Sequence, residues 1–292
     1  MAQAVLVPSS HPPPAMQLIA LLLAAAQGAT PLRIIGAGLG RTATSSLKQA
    51  LDQLGYKAYH MERAMKDKHL VQWGQVGLEG GETQDINTTA AQAMFDMLSD
   101  QGYDATLDYP TNMLYKMQMK RYPDAKVILS VRKNAAVWSR SFVDTIGHHD
   151  MVAPMGRFPM NWLLPGAAET MRWVFRLHGF HRTPEHSLEE ATEAYNEWNS
   201  EVQQFVPQDK LLVHRAEEGW PPLCTFLGVS EADCPSSKGV EYPHTDNDRT
   251  HVHKKAVYIS LLDKYWGIVL VLPITPIVGI LWFVSFVKLK KD

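Results

Sequence analysis

The segment Leu32-Arg-Ile-Ile-Gly-Ala-Gly-Leu-Gly-Arg-Thr-Ala-Thr-Ser-Ser-Leu47 constrains the fold of this chain more than any other stretch. A short apolar run leads into Gly36, Gly38 and Gly40, then Arg41, then the hydroxyl residues Thr42, Thr44, Ser45 and Ser46. Apolar positions at Leu47, Ala50, Leu51 and Leu54 follow with helical spacing, and Gly55 marks a C-terminal stop. Strand, glycine turn and helix N-terminus in this order build an anion pocket. Backbone N–H groups and the positive end of the helix point into it.

Two phosphate loops are excluded. The nucleotide-hydrolase loop, G-x-x-x-x-G-K-S/T, requires a lysine to reach the terminal phosphates. Read from Gly38, this chain has Ala43 for the second glycine and Thr44 for the lysine. The dinucleotide fingerprint G-x-G-x-x-G requires a last glycine where Arg41 stands. Arg41 followed by Thr42, Ala43, Thr44, Ser45 and Ser46 instead resembles the 5′-phosphosulfate loop of sulfotransferases that use 3′-phosphoadenosine 5′-phosphosulfate (PAPS). Glycine is more usual in that family at the position of Ala43.

A second motif supports this resemblance. Ala125-Lys-Val-Ile-Leu-Ser-Val-Arg132 reads as a buried strand ending in arginine, followed by a helix through Trp138, Ser139 and Ser141. An arginine fork and a hydroxyl two helical turns later can grip one phosphate together. The pattern resembles the family's 3′-phosphate motif, in which the serine usually falls eight residues after the arginine. Ser139 falls at seven and Ser141 at nine, so both are candidates. The spacing Trp138-x-x-Ser141 resembles one branch of the family and favours Ser141.

Between these motifs, Tyr103-Asp-Ala-Thr-Leu-Asp-Tyr-Pro110 reads as a short strand ending in Asp108 and stopped by Pro110. Open α/β sheets bind ligands at the carboxyl ends of their strands, which sets Asp108 beside Gly40 and Arg41. Cytosolic sulfotransferases carry a histidine base at this place. The resemblance therefore implies Asp108 as base, with His60, at the end of the strand-like run 57–60, as the rival. The motifs Gly219-Trp-Pro-Pro-Leu-Cys-Thr-Phe-Leu-Gly228 and Tyr242-Pro-His-Thr-Asp-Asn247 extend the likeness over about Leu32 to His253. The implied donor site is Gly38, Gly40, Arg41, Thr42, Ala43, Thr44, Ser45, Ser46, Arg132 and one of Ser139 and Ser141. The implied catalytic set is Asp108, Arg41 and His60. The implied donor is PAPS, with no metal required. Two other functions fit parts of the pattern: an ATP-dependent kinase-like enzyme, and a catalytically inactive membrane-anchored scaffold.

Strand-like runs at 32–36, 57–60, 105–107, 126–131 and 210–214 alternate with helical stretches. This predicts a P-loop-type α/β fold, a parallel sheet flanked by helices. A capping box at Ser187-Leu-Glu-Glu190 starts a helix running to Phe205, before Pro207. Residues 31–257 form the predicted α/β domain, and 148–186 the expected acceptor wall. The segment from His244 to His253 either covers the nucleotide or is a plain surface loop.

With 28 Lys and Arg against 30 Asp and Glu, and no basic block, nucleic-acid binding has no support. The twelve histidines show no metal-ligand spacing. Cys224 and Cys234 allow one disulfide without requiring it. Residues 268–287 are uncharged and long enough to cross about 30 Å of hydrocarbon as a helix. Lys288, Lys290 and Lys291 follow, and 258–267 form a juxtamembrane segment. A single-pass protein of the endoplasmic reticulum or Golgi is expected, bound to the bilayer through 268–287 and ending in the basic tail 288–292. Its acceptor is an unidentified small molecule or carbohydrate. Residues 1–30 read either as a signal peptide or as a disordered N-terminus. The first reading puts the domain in the lumen, where the sequon Asn87-Thr-Thr89 is usable; the second leaves it cytosolic.

Overall fold

The computed structural model describes residues 30–81, 83–147, 156–158, 160–177 and 187–245, together with 261, 264 and 265. Five strands form one sheet: β1 (Ile34–Gly36), β2 (Ala58–Tyr59), β3 (Ala105–Thr106), β4 (Lys126–Ser130) and β5 (Leu211–His214). Their order is β2-β3-β1-β4-β5 and every pairing is parallel. Ile34 stands opposite Ala105 on one side and Lys126 on the other, so β1 is the central strand. The expected α/β sheet is present, with its strands one or two residues shorter than their apolar runs.

Period-2 alternation distributes β1 and β4 between two cores. Ile35, Val127 and Leu129 join a large cluster on one face. Ile34 and Ile128 join a smaller cluster on the other. The smaller face is covered by α1 (Thr44–Gln53) and α10 (Trp220–Leu227). Leu47, Ala50 and Leu51 of α1 are buried as their spacing predicts, and the helix stops before Gly55, whose φ is 87°. The larger face is covered by α3 (Leu70–Val76), α4 (Thr89–Asp100), α5 (Tyr115–Arg121), α6 (Ala135–Val143), α8 (Ala167–Leu177) and α9 (Leu188–Phe205). Two short helices complete the described set, α2 (Met61–Lys66) after β2 and α7 (Met160–Leu163) before α8. The capping box at Ser187 and Glu190 forms in full and opens α9.

The connection after β1 leads towards β2, and the connection after β4 leads towards β5. These neighbouring strands therefore open in opposite directions at their carboxyl ends. That divergence makes a crevice, the usual ligand position in such sheets. The glycine loop follows β1 and Arg132 follows β4, so both motifs reach the same crevice.

Cys224 and Cys234 are joined in a disulfide that ties the body of α10 to the turn behind it. Among the described residues no helix is long and apolar enough to cross a membrane. The expected span at 268–287, the tail 288–292, the first 29 residues and most of 258–267 lie outside the described residues.

His214, at the end of β5, is 1% exposed, and its Nε2 lies 3.2 Å from the Tyr242 hydroxyl. Burial holds its pKa below the ordinary value, against the opposing pull of Glu218 and Glu217. The neutral ring is therefore the folded form. Its stabilisation is complete above about pH 6.5, the unfolded value, and is lost as the pH falls below it. The thermal midpoint is expected to fall on going from about pH 7.5 to about pH 5.5, with a smaller fall in His214→Gln. Equal slopes in the two proteins, measured by differential scanning calorimetry, would remove His214 as the cause.

Candidate functional site: a double anion cradle at the sheet crevice

The loop between β1 and α1 is held by its carbonyls. Trp198 Nε1 donates to the carbonyl of Ala37 at 2.8 Å. Asn112 Nδ2 donates to Gly38 O at 3.1 Å, and Trp138 Nε1 to Gly40 O at 2.8 Å. Thr42 Oγ1 donates to Leu39 O at 2.6 Å. Four successive carbonyls are thus engaged by buried side chains. At α1 itself no side chain caps the N-terminus and the first turn holds no acidic residue. The opening N–H groups of a helix lack intrahelical partners, so this end suits an anion.

Two of the loop glycines serve close packing. A Cβ at Gly38 would overlap Ser130 Oγ, and one at Gly40 would overlap the Tyr109 ring. The left-handed positions fall instead on Arg41 (φ 72°) and Ala43 (φ 65°). The place where the family prefers glycine is therefore a place where this backbone favours glycine.

Asp108 follows β3, also left-handed at φ 65°, ahead of a cis Tyr109–Pro110 peptide. Asn112 N and Thr111 Oγ1 donate to its carbonyl at 2.9 and 3.0 Å. Left-handed backbone costs roughly 1–2 kcal/mol in a non-glycine residue and is retained where the surroundings over-determine it. All three of these residues belong to the crevice. Tyr109 lies fully buried under Gly40, and burial, with the Asp108 carboxylate beside it, drives its hydroxyl pKa well above the ordinary tyrosine value.

His60 and Asp108 are brought together. His60 Nε2 lies 3.3 Å from Asp108 Oδ2 and 3.1 Å from Thr44 Oγ1. Its Nδ1 accepts the N–H of Glu62 and so caps α2. A neutral ring whose Nδ1 accepts must carry its proton on Nε2. Nε2 of His60 thus faces both Asp108 and Thr44, and the two candidate bases stand in one hydrogen-bonded group.

The two serine candidates separate. Ser139 Oγ accepts from Thr192 Oγ1 at 3.0 Å and lies 3.4 Å from Ala136 O, within the packing of α6 on α9. Ser141 Oγ accepts from Arg41 Nε at 3.3 Å. This bond joins the residue expected at the sulfuryl end of the donor to the one expected at its 3′-phosphate. Arg132 stands at the same rim. Its backbone N–H donates to the Tyr195 hydroxyl at 2.9 Å, and its Nε is buried with no hydrogen-bond partner.

The remaining loop residues divide by role. Thr42 is 1% exposed, and its hydroxyl also lies 2.7 Å from Ser130 Oγ, so it braces the loop against β4. Ser45 is half-buried in the first turn of α1. Ser46 Oγ accepts the N–H of Thr245 at 3.3 Å and lies 3.2 Å from its hydroxyl. The segment from His244 therefore reaches the donor helix at Thr245, while 246–253 lie outside the described residues. Of the expected acceptor wall, only 156–158 and 160–177 are described. No group of three His, Cys, Asp or Glu among the described residues is placed to hold a metal ion.

Trp198, Asn112, Tyr109 and Tyr195 are parts of this site that the motifs did not reveal. Their identities are unremarkable, and only the fold brings them to the loop.

A parallel α/β sheet with a glycine loop, an uncapped helix end and two arginines at its crevice is the arrangement of a nucleotide-type α/β protein. The chain belongs to the Sulfotransferase domain family, which it matches over residues 33–251. It is also 29% identical over 247 residues to "Ava biosynthesis cluster protein M" of Aspergillus versicolor, covering 75% of this chain and 84% of the relative. Family membership makes it a transferase of the sulfotransferase class.

Replacing Ala43 by glycine relieves the left-handed strain without removing a contact that holds the loop. The expected gain is about 1 kcal/mol, a rise of roughly 2–4 °C in thermal midpoint for a domain of this size. A lower midpoint would show that the strain is absent.

Proposed function

We propose that this protein transfers a sulfuryl group from PAPS to a hydroxyl or amine of a small-molecule acceptor. The observation that carries this reading is the buried, partnerless Nε of Arg132, which follows β4 at the carboxyl edge of the sheet, where the uncapped N-terminus of α1 follows β1. One arginine with an orphaned donor and one open helix end suit a ligand with two separate anionic groups. Family membership supports sulfuryl transfer, and the family resemblance of the loop supports PAPS.

Bound there, PAPS supplies an activated sulfuryl group whose bond to the 5′-phosphate oxygen breaks as the acceptor's bond to sulfur forms. The N–H groups of α1 with Ser45 hold the phosphosulfate, and Arg132 with Ser141 holds the 3′-phosphate. Asp108 takes the proton from the attacking hydroxyl or amine. His60, donating from Nε2, fixes the carboxylate and aligns Thr44 beside it. Arg41 neutralises the charge that grows on the departing 5′-phosphate oxygen. The products are the sulfated acceptor and 3′,5′-ADP. The relative's name refers to a biosynthesis cluster, which supports a small-molecule acceptor over a protein one. We further propose attachment to an internal membrane through 268–287, supported by its uncharged length and the lysines that follow.

Stabilisation by 3′,5′-ADP and not by ATP with magnesium is expected in a thermal-shift comparison; the reverse pattern would replace PAPS by ATP. With labelled PAPS and a panel of alcohols, sterols, sugars and tyrosyl peptides, at least one small acceptor should become labelled. Binding of 3′,5′-ADP with no transfer to any member would favour the inactive scaffold. Asp108→Asn should lower kcat by about 10²–10⁴ with little change in donor affinity. Arg41→Ala should lower kcat by about 10²–10³, more than it weakens donor binding. Unchanged turnover in either variant would remove the role assigned to that residue.

A further inference from the structure

Tyr195 lies on α9, outside every motif that points to the donor site. It is 4% exposed and its ring stacks on Trp138 at 4.9 Å between centroids, 27° between planes. Trp138 in turn stacks on Phe142 at 4.8 Å and holds the Gly40 carbonyl. The Tyr195 hydroxyl accepts the backbone N–H of Arg132 at 2.9 Å. A buried ring with an occupied hydroxyl is not placed to touch a ligand. What it controls is where Arg132 leaves the sheet.

Arg132 lies two residues beyond the end of β4, where strand hydrogen bonding no longer fixes its backbone. The Tyr195 hydroxyl replaces that restraint. A guanidinium fork binds phosphate only when both of its N–H groups are aimed together, so its grip depends on the position of its own Cα. The same ring, through Trp138, stands against the loop that carries Arg41. The two anion sites are thereby built on one stacked aromatic unit.

We propose that Tyr195 is the positioning residue that gives the donor site its preference for a 3′-phosphate, acting through the backbone of Arg132. This rests on the PAPS reading. The ligand class it selects is an adenosine 5′-phosphate derivative phosphorylated at the 3′ position, against the same nucleotide without that group.

The pair 3′,5′-ADP and 5′-AMP isolates this term, because the two differ only in the 3′-phosphate. Their affinities are measured by calorimetry on the full chain and on Tyr195→Phe, which keeps the ring and its stack and removes the hydroxyl alone. The ratio of affinities is expected to fall about tenfold in Tyr195→Phe, the scale of one lost hydrogen bond, with 5′-AMP affinity held within about twofold. A merely structural defect would weaken both nucleotides alike and leave the ratio in place; that result overturns the proposal. Tyr195→His, which keeps a flat ring against Trp138 without the para hydroxyl, should lower the same ratio and serves if Tyr195→Phe does not fold. An unchanged ratio there would likewise count against the proposal. If the unmodified protein shows no preference for 3′,5′-ADP, the PAPS reading fails and this proposal falls with it. A preference that is lost in Arg132→Ala but intact in Tyr195→Phe overturns the role of Tyr195 alone.

Discussion

The site depends on the immobilised carbonyls of the loop that follows β1. A peptide group cannot present its N–H to one side without sending its carbonyl to the other. A loop meant to receive an anion must therefore find acceptors' partners on its outer side. Here Trp198, Asn112, Thr42 and Trp138 supply them for Ala37, Gly38, Leu39 and Gly40. Each such bond is worth about 1 kcal/mol net, and each would cost more if left unmade in a buried setting. The cradle is thus formed by the hydrophobic core on its far side, and the glycines matter chiefly because Ser130 and Tyr109 press against them.

The same logic explains what could be read from the chain in advance. Local signals were legible. The apolar runs announced all five strands, Ser187 with Glu190 announced α9, and Arg132 and Asp108 were placed at strand ends by the topology of any parallel sheet. Partners distant along the chain were not legible. Trp198 lies 161 residues from Ala37, Trp138 lies 98 residues from Gly40, and Asn112 lies 74 from Gly38. A tryptophan at helical spacing reads as core, and these are core residues; only the fold shows that their indole N–H groups end on the loop.

Two pairs of candidates that spacing left open differ in their hydrogen bonding. Seven and nine residues after Arg132 both lie near a helical face, but Ser139 meets Thr192 while Ser141 meets Arg41. His60 and Asp108 both stand at strand ends of one rim. The N–H of Glu62 meets Nδ1 of His60, and Nε2 is the atom that faces Asp108. Thr192 and Glu62, which contact Ser139 and His60, belong to no catalytic motif.

The indoles that grip the loop also give the molecule an internal optical sensor. Trp138 and Trp198 share hydrogen bonds with peptide groups whose opposite faces border the anion site. Charge entering that site polarises those peptides and alters the field along the indole N–H bonds. An anion bound in the proposed cradle would therefore alter the emission of two among the eight tryptophans without any added label.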